Sequence, residues 1–147
     1  DEAVERLAND NVATANDEMF VTQVLGSWSR HVAGWAAAAG QSPSKILLLR
    51  YEDLLEKPAK SFSKAAKLMG IQDKARIDRA VRHAGFQTLS ALEKREGFIE
   101  AANGQSRFFR AGRANQWRDA LSRDQVARVV NDHREQMARF KYLPPGF

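Results

Sequence analysis

Lys45-Ile46-Leu47-Leu48-Leu49-Arg50, followed at once by Tyr51-Glu52-Asp53-Leu54, is the stretch whose reading decides the fold class. Its apolar residues run continuously rather than alternating, which is the pattern of a strand covered on both faces, as in a parallel sheet. Glu52 to Lys57 then reads as a short helical turn stopped by Pro58. No second convincing strand occurs in the sequence. A lone interior strand leaves its own amides and carbonyls without partners, so its neighbours are expected from outside this segment.

Outward from that strand the pattern is helical, with apolar residues every three to four positions and breakers between segments. Upstream, Ala3 to Ala8 suits a short polar helix, and Asp17 to Leu25 a second one capped by Asn16. After Gly26, Ser27 can cap a helix that places Trp28, His31, Val32, Trp35 and Ala36 on one stripe and ends at Gly40. Trp28, Val32 and Trp35 are expected in the core, with His31 a satisfied core or interface histidine. Downstream, Ala59 to Met69 forms a helix closed by Gly70 at C′. Ile77, Ala80, Val81 and Ala84 mark another, ended by Gly85. Ser90 and Glu93 have capping-box spacing ahead of a brief helix that frays by Gly97. Residues 97–116 form a loop longer than compact domains usually carry without a use. Ser122 and Gln125 then open a long helix bearing Val126, Val129, Val130, His133, Met137 and Phe140, which Pro144 and Pro145 cannot continue.

Composition narrows the chemistry. The 147 residues are 44% hydrophobic, enough for one domain or a piece of one, and 23 Lys and Arg against 18 Asp and Glu give a net charge of +5. Such a surface attracts anions: nucleotides, phosphorylated or sulfated molecules, or nucleic acid. The sequence has no cysteine, which excludes disulfides and thiolate metal sites and is compatible with a reducing compartment. His31, His83 and His133 lie far apart with no second ligand at helical spacing, so no metal site is expected. The apolar runs are too short to span a bilayer. The chain opens at Asp1 rather than at a methionine, which suggests a fragment, a processed product, or numbering that starts inside a longer protein.

Four stretches, in order, resemble the second half of the cytosolic-type sulfotransferases, whose donor is 3′-phosphoadenosine 5′-phosphosulfate (PAPS). Gly26-Ser27-Trp28-Ser29-Arg30-His31-Val32 with Trp35 is similar to the family's G-S-W-x-x-H-V-x-x-W helix. Leu49-Arg50-Tyr51-Glu52-Asp53-Leu54 is similar to its Y-E-D-L strand-to-helix junction. His83-Ala84-Gly85-Phe86 stands where the family has H-T-S-F. Phe109-Arg110-Ala111-Gly112 with Trp117-Arg118 is similar to R-K-G-x-x-G-D-W-K. Singly the motifs are weak, but together they cover roughly residues 17–143.

The resemblance implies an α/β, P-loop-NTPase-like fold, a parallel sheet flanked by helices, of which these residues supply a mostly helical part with one central strand. Ligands of open α/β sheets sit at the carboxyl ends of strands, where Tyr51 falls. By matching position, Tyr51 and Phe86 would meet the adenine, and Arg110, Ala111 and Gly112 the 3′-phosphate. The long loop would then serve as a lid. This sequence departs from the family where Ala84 and Gly85 replace threonine and serine, Ala111 replaces lysine, Asn115 and Gln116 replace glycine and aspartate, and Arg118 replaces lysine. The family's 5′-phosphosulfate loop, its lysine and its general-base histidine lie in the N-terminal half. No Gly-rich K-[ST] loop occurs here, so no catalytic residue is assigned and the chain alone is expected to be inert.

The function implied is sulfuryl transfer from PAPS to a hydroxyl or amine, without a metal, in the cytoplasm. The implied partners are a small-molecule acceptor and the N-terminal half of the same domain, with no nucleic acid and no membrane. A homodimer is allowed, and the acceptor is not written in these residues. Two other readings are carried alongside: a non-catalytic helical interaction module, and a basic nucleic-acid-binding domain. Glu52 and Asp53 read as helix-start carboxylates, and Arg134, Arg139 and Lys141 as surface charge at a helix end.

Overall fold

The longest regular element is also the best signalled. Ser122 accepts a hydrogen bond from the Gln125 amide while the Gln125 side chain accepts one from the Ser122 amide, so the expected capping box forms and opens a helix at Arg123–Arg139. The computed structural model describes residues 1–13, 24–98 and 107–147. Within them the helices are α1 (Glu2–Ala8), α2 (Trp28–Gln41), α3 (Tyr51–Glu56), α4 (Pro58–Leu68), α5 (Lys74–His83), α6 (Phe86–Glu96), α7 (Trp117–Ala120) and α8 (Arg123–Arg139). The chain divides into two compact units: Asp1–Pro43 with Trp117–Phe147, and Ser44–Gln116.

In the first unit α1 and α2 pack on α8. Val126, Val130 and Met137 of α8 form its buried centre, and Trp28, Trp117, Leu121, Val129, Tyr142 and Leu143 close around them. Trp28 meets His133 and Tyr142 edge-on, at ring-centroid distances of 5.5 and 6.1 Å. Ser27 caps α2 as expected, accepting from the Arg30 amide. The stripe of α2 that is covered is the row Trp28, Val32, Ala36. Trp35 and His31 lie one row round, so Trp35 is 51% exposed, which corrects its expected place in the core, and His31, expected in the core or at an interface, is exposed beside it. The helix expected from Asp17 to Leu25 falls mostly outside the described residues. Its last two positions are extended, with Val24 bridged antiparallel to Ala13 and Leu25 bonded to the Val12 carbonyl.

Helix α8 does not run on to the prolines. Lys141 adopts φ +61°, its amide bonds the Ala138 carbonyl, and the Tyr142 amide bonds the Met137 carbonyl at 2.7 Å. These are the two bonds of a Schellman closure, made here without glycine. Gly70 closes α4 in the same way, with its own amide on Lys67 and the Ile71 amide on Ala66.

The second unit is a run of four helices in which α3 packs on α4, α4 on α5, and α5 on α6. Pro58 occupies the first turn of α4, where its missing N–H costs nothing. The Ser61 hydroxyl donates to the Asp53 carbonyl and ties α4 to the end of α3.

In this unit one expectation, the central strand, is not met among the described residues, and another, the Ser90 cap, is corrected. Residues 46–50 form no ladder, because no other strand exists among the described residues to pair with them. The backbone is nevertheless extended at Arg50, and Ile46, Leu47 and Leu49 are half-buried while Leu48 is exposed. The Ser90 capping box is also absent: α6 starts at Phe86, capped by Gly85, so Ser90 and Glu93 lie inside the helix.

Candidate functional site

Tyr51, Phe86, Arg110, Ala111 and Gly112 come from three separate stretches of sequence, and all five line one cavity of about 640 Å³ in the second unit. Each is delivered by a different local device. Tyr51 is the first residue of α3, placed by the extended Arg50 before it, and is half exposed. Phe86 is the first residue of α6, where the chain leaves α5 through Ala84 and Gly85. Leu54, Leu55 and Phe62 from α3 and α4 complete the apolar side.

The loop of Arg110, Ala111 and Gly112 lies against α6. Gly112 has φ +57°, and a Cβ built on it would overlap the Phe86 ring. Only glycine tolerates both the left-handed backbone and that approach. Phe109 meets Phe86 edge-on at 6.3 Å, and Phe98 and Phe108 stack at 4.4 Å, so the loop carries an aromatic underside. Arg110 donates to the Gln116 side-chain oxygen at 2.8 Å, and the Gln116 amide group donates to the Arg113 carbonyl at 2.9 Å. Among the described residues Arg110 makes no ion pair with a carboxylate.

Charge is unevenly divided. Ser44–Gln116 holds 15 Lys and Arg against 8 Asp and Glu, a net +7, whereas the remainder holds 8 against 10, a net −2. All of the protein's positive excess therefore belongs to the unit that contains the cavity.

Reading the sequence missed Glu93, Ser90 and Gln116 as loop-holding residues. Glu93 accepts the amides of Phe108 and Phe109, and Ser90 accepts from Arg107 at 2.6 Å. Their spacing suggested a helix cap, and only the basic, aromatic run Arg107-Phe108-Phe109-Arg110 hinted at a partner for them. The residues 99–106 of the expected lid lie outside the described residues. Among the described residues no group of His, Asp and Glu is arranged to hold a metal, and no helix is long and apolar enough to cross a membrane.

The cleft thus pairs aromatic walls with an arginine-bearing loop that glycine holds against Phe86. The chain matches the sulfotransferase domain family over residues 4–141, and it belongs to that family. With membership comes the P-loop-like sulfotransferase fold. The chain is 29% identical to cytosolic sulfotransferase 16 of Arabidopsis thaliana across 72% of its own length and 35% of the relative's. It is 28% identical to cytosolic sulfotransferase 17 of the same plant, over 71% and 33%. To the flavonol 3-sulfotransferase of Flaveria bidentis it is 24% identical, over 71% and 37%. The chain thus spans about a third of the length of the curated relatives it matches.

Proposed function

We propose that the cavity of the second unit binds the adenosine 3′-phosphate end of PAPS, and that these residues are the C-terminal half of a cytoplasmic sulfotransferase acting on a hydroxyl or amine. In this reading Tyr51 and Phe86 flank the adenine, and the Arg110 guanidinium with the Ala111 and Gly112 backbone receives the 3′-phosphate. The parallel sheet of the whole domain would pair with the extended segment ending at Arg50. One observation carries the proposal: the residues that the resemblance assigns to adenine and phosphate, up to sixty-one positions apart, line one cavity, in the unit that holds the positive charge.

The reaction so assigned is an in-line displacement. The bond from sulfur to the donor's phosphate oxygen breaks, a bond from sulfur to the acceptor oxygen or nitrogen forms, the acceptor proton departs, and adenosine 3′,5′-bisphosphate leaves. This chain's share is to hold the leaving nucleotide and neutralise its charge, which supplies positioning rather than proton transfer. The residues that handle the acceptor proton and the 5′-phosphosulfate are assigned to the N-terminal half.

Calorimetric titration with adenosine 3′,5′-bisphosphate tests the proposal. Micromolar binding is expected, weakened about tenfold or more by Arg110→Ala, because a charge-assisted contact to phosphate is lost. No binding by the intact protein, or binding indifferent to Arg110, overturns it. If the nucleotide is ignored while nucleic acid binds with a steep salt dependence, the basic unit serves a nucleic-acid interface instead.

A further inference from the structure

We infer that Glu93 is the positioning residue of the 3′-phosphate loop, an assignment that rests on the nucleotide reading of the cleft. Helix α6 presents Phe86, Ser90 and Glu93 at intervals of four and three residues, hence along one face. Each of the three meets the loop: Phe86 beneath Gly112, Ser90 at the Arg107 guanidinium, and Glu93 at the amides of Phe108 and Phe109 at 2.5 and 3.0 Å. The helix face and the loop are thereby held in register at both ends of Arg110-Ala111, the pair assigned to the phosphate. A carboxylate is the one neutral-pH side chain with two acceptor oxygens and no donor, so it can receive two successive amides without turning a donor against either.

The same pairing removes an electrostatic objection. A carboxylate beside a phosphate loop would repel the ligand, but one that accepts two backbone N–H groups has much of its charge already compensated. Arg110 is left to face the anion. Glu93 touches no ligand in this scheme: it acts through the loop.

The test compares adenosine 3′,5′-bisphosphate with adenosine 5′-phosphate on the intact protein, wild type and Glu93→Gln, with Ser90→Ala as a second, milder release of the loop. Glutamine keeps one acceptor but sets an NH₂ group against the second amide. The expected result is that Glu93→Gln weakens the bisphosphate about tenfold while the affinity for adenosine 5′-phosphate stays level, since only the 3′-phosphate depends on the loop. Ser90→Ala is expected to move the same ratio in the same direction by less. Equal weakening of both nucleotides, which loss of folded protein would cause, or an unchanged ratio in both variants, removes the positioning role. A wild-type protein that binds both nucleotides equally well sinks the phosphate-loop assignment first, and the role of Glu93 with it.

Discussion

The Phe86 ring occupies the space where a side chain on Gly112 would begin. A helix N-terminus and a loop twenty-six residues further on are thus fitted to each other through the absence of a single methyl group. The site therefore depends on a packing relationship as much as on charge.

Gly112→Ala should expose that dependence. The substitution places a Cβ at φ +57° and drives it into an aromatic ring, so the loop must shift or the ring must leave. The cost is about 1–3 kcal/mol of stability by the usual scale of left-handed and overpacked positions. Binding of adenosine 3′,5′-bisphosphate should fall by about tenfold or more, beyond what the unfolded fraction explains. Thermal denaturation and calorimetric titration on the same sample separate the two effects.

Lys141→Gly should stabilise the protein. Lys141 holds φ +61° to complete the Schellman closure of α8, a conformation that glycine adopts without the Cβ penalty. Relief of about 1 kcal/mol is expected from that term, partly offset by the greater freedom of glycine in the unfolded chain. A urea midpoint that rises with an unchanged slope is the outcome anticipated. A fall would mean that the lysine side chain contributes more than its backbone costs.

What could be read in advance, and what could not, divides along a physical line. Caps written in neighbouring residues were legible: Ser27, the Ser122 and Gln125 pair, and Gly70 all act where the sequence puts them. The convergence of Tyr51, Phe86 and Arg110 around one cavity is expected from the resemblance and its motif order, not from composition. Features that depend on a distant partner were not legible. For Ile46 to Leu49 the strand composition and the need for outside partners are written locally, but the ladder itself is not, because its second strand is not among the described residues. Ser90 and Glu93 have the spacing of a cap, and what redirects them is a loop fourteen or more residues away. Trp35 shares the helical stripe of Trp28 yet is half exposed, because helical period fixes a stripe and not which edge of it a neighbour covers.

The lysines of α4 should govern how fast the nucleotide arrives. Lys57, Lys60, Lys64 and Lys67 follow one another at three and four residue intervals, all exposed, and α4 itself holds no acidic residue. Pro58 and Phe62 of the same helix line the cavity, and helical spacing puts the lysines on the opposite face, so they add to the field around the cleft without forming it. Replacing Lys60, Lys64 and Lys67 together by glutamate is expected to slow association of adenosine 3′,5′-bisphosphate by about tenfold at low salt and leave dissociation nearly unchanged, as steering charges do. The difference should fade as salt shortens the reach of the field. Stopped-flow traces at two ionic strengths decide it, and an effect confined to dissociation would place the lysines in direct contact instead.

His133 should make the first unit sensitive to mild acid. It is 3% exposed, Nδ1 lies 2.8 Å from the Ser29 hydroxyl, and Nε2 is buried with no hydrogen-bond partner, so the neutral ring fits the site and the charged one does not. Burial lowers its pKa below the ordinary histidine value, against a smaller opposing pull from Asp132. Above the unfolded pKa of about 6.5 both states are neutral and the group contributes no pH dependence. Below it the unfolded chain takes up a proton that the folded chain resists, so stability should decline as pH falls from about 6.5 toward the lowered folded value, then level off. His133→Phe removes the titrating group while keeping an aromatic edge for Trp28, and should flatten this part of the curve relative to wild type. Denaturation midpoints measured in steps of pH give both curves, and identical slopes in the two proteins would show that other groups set the acid sensitivity.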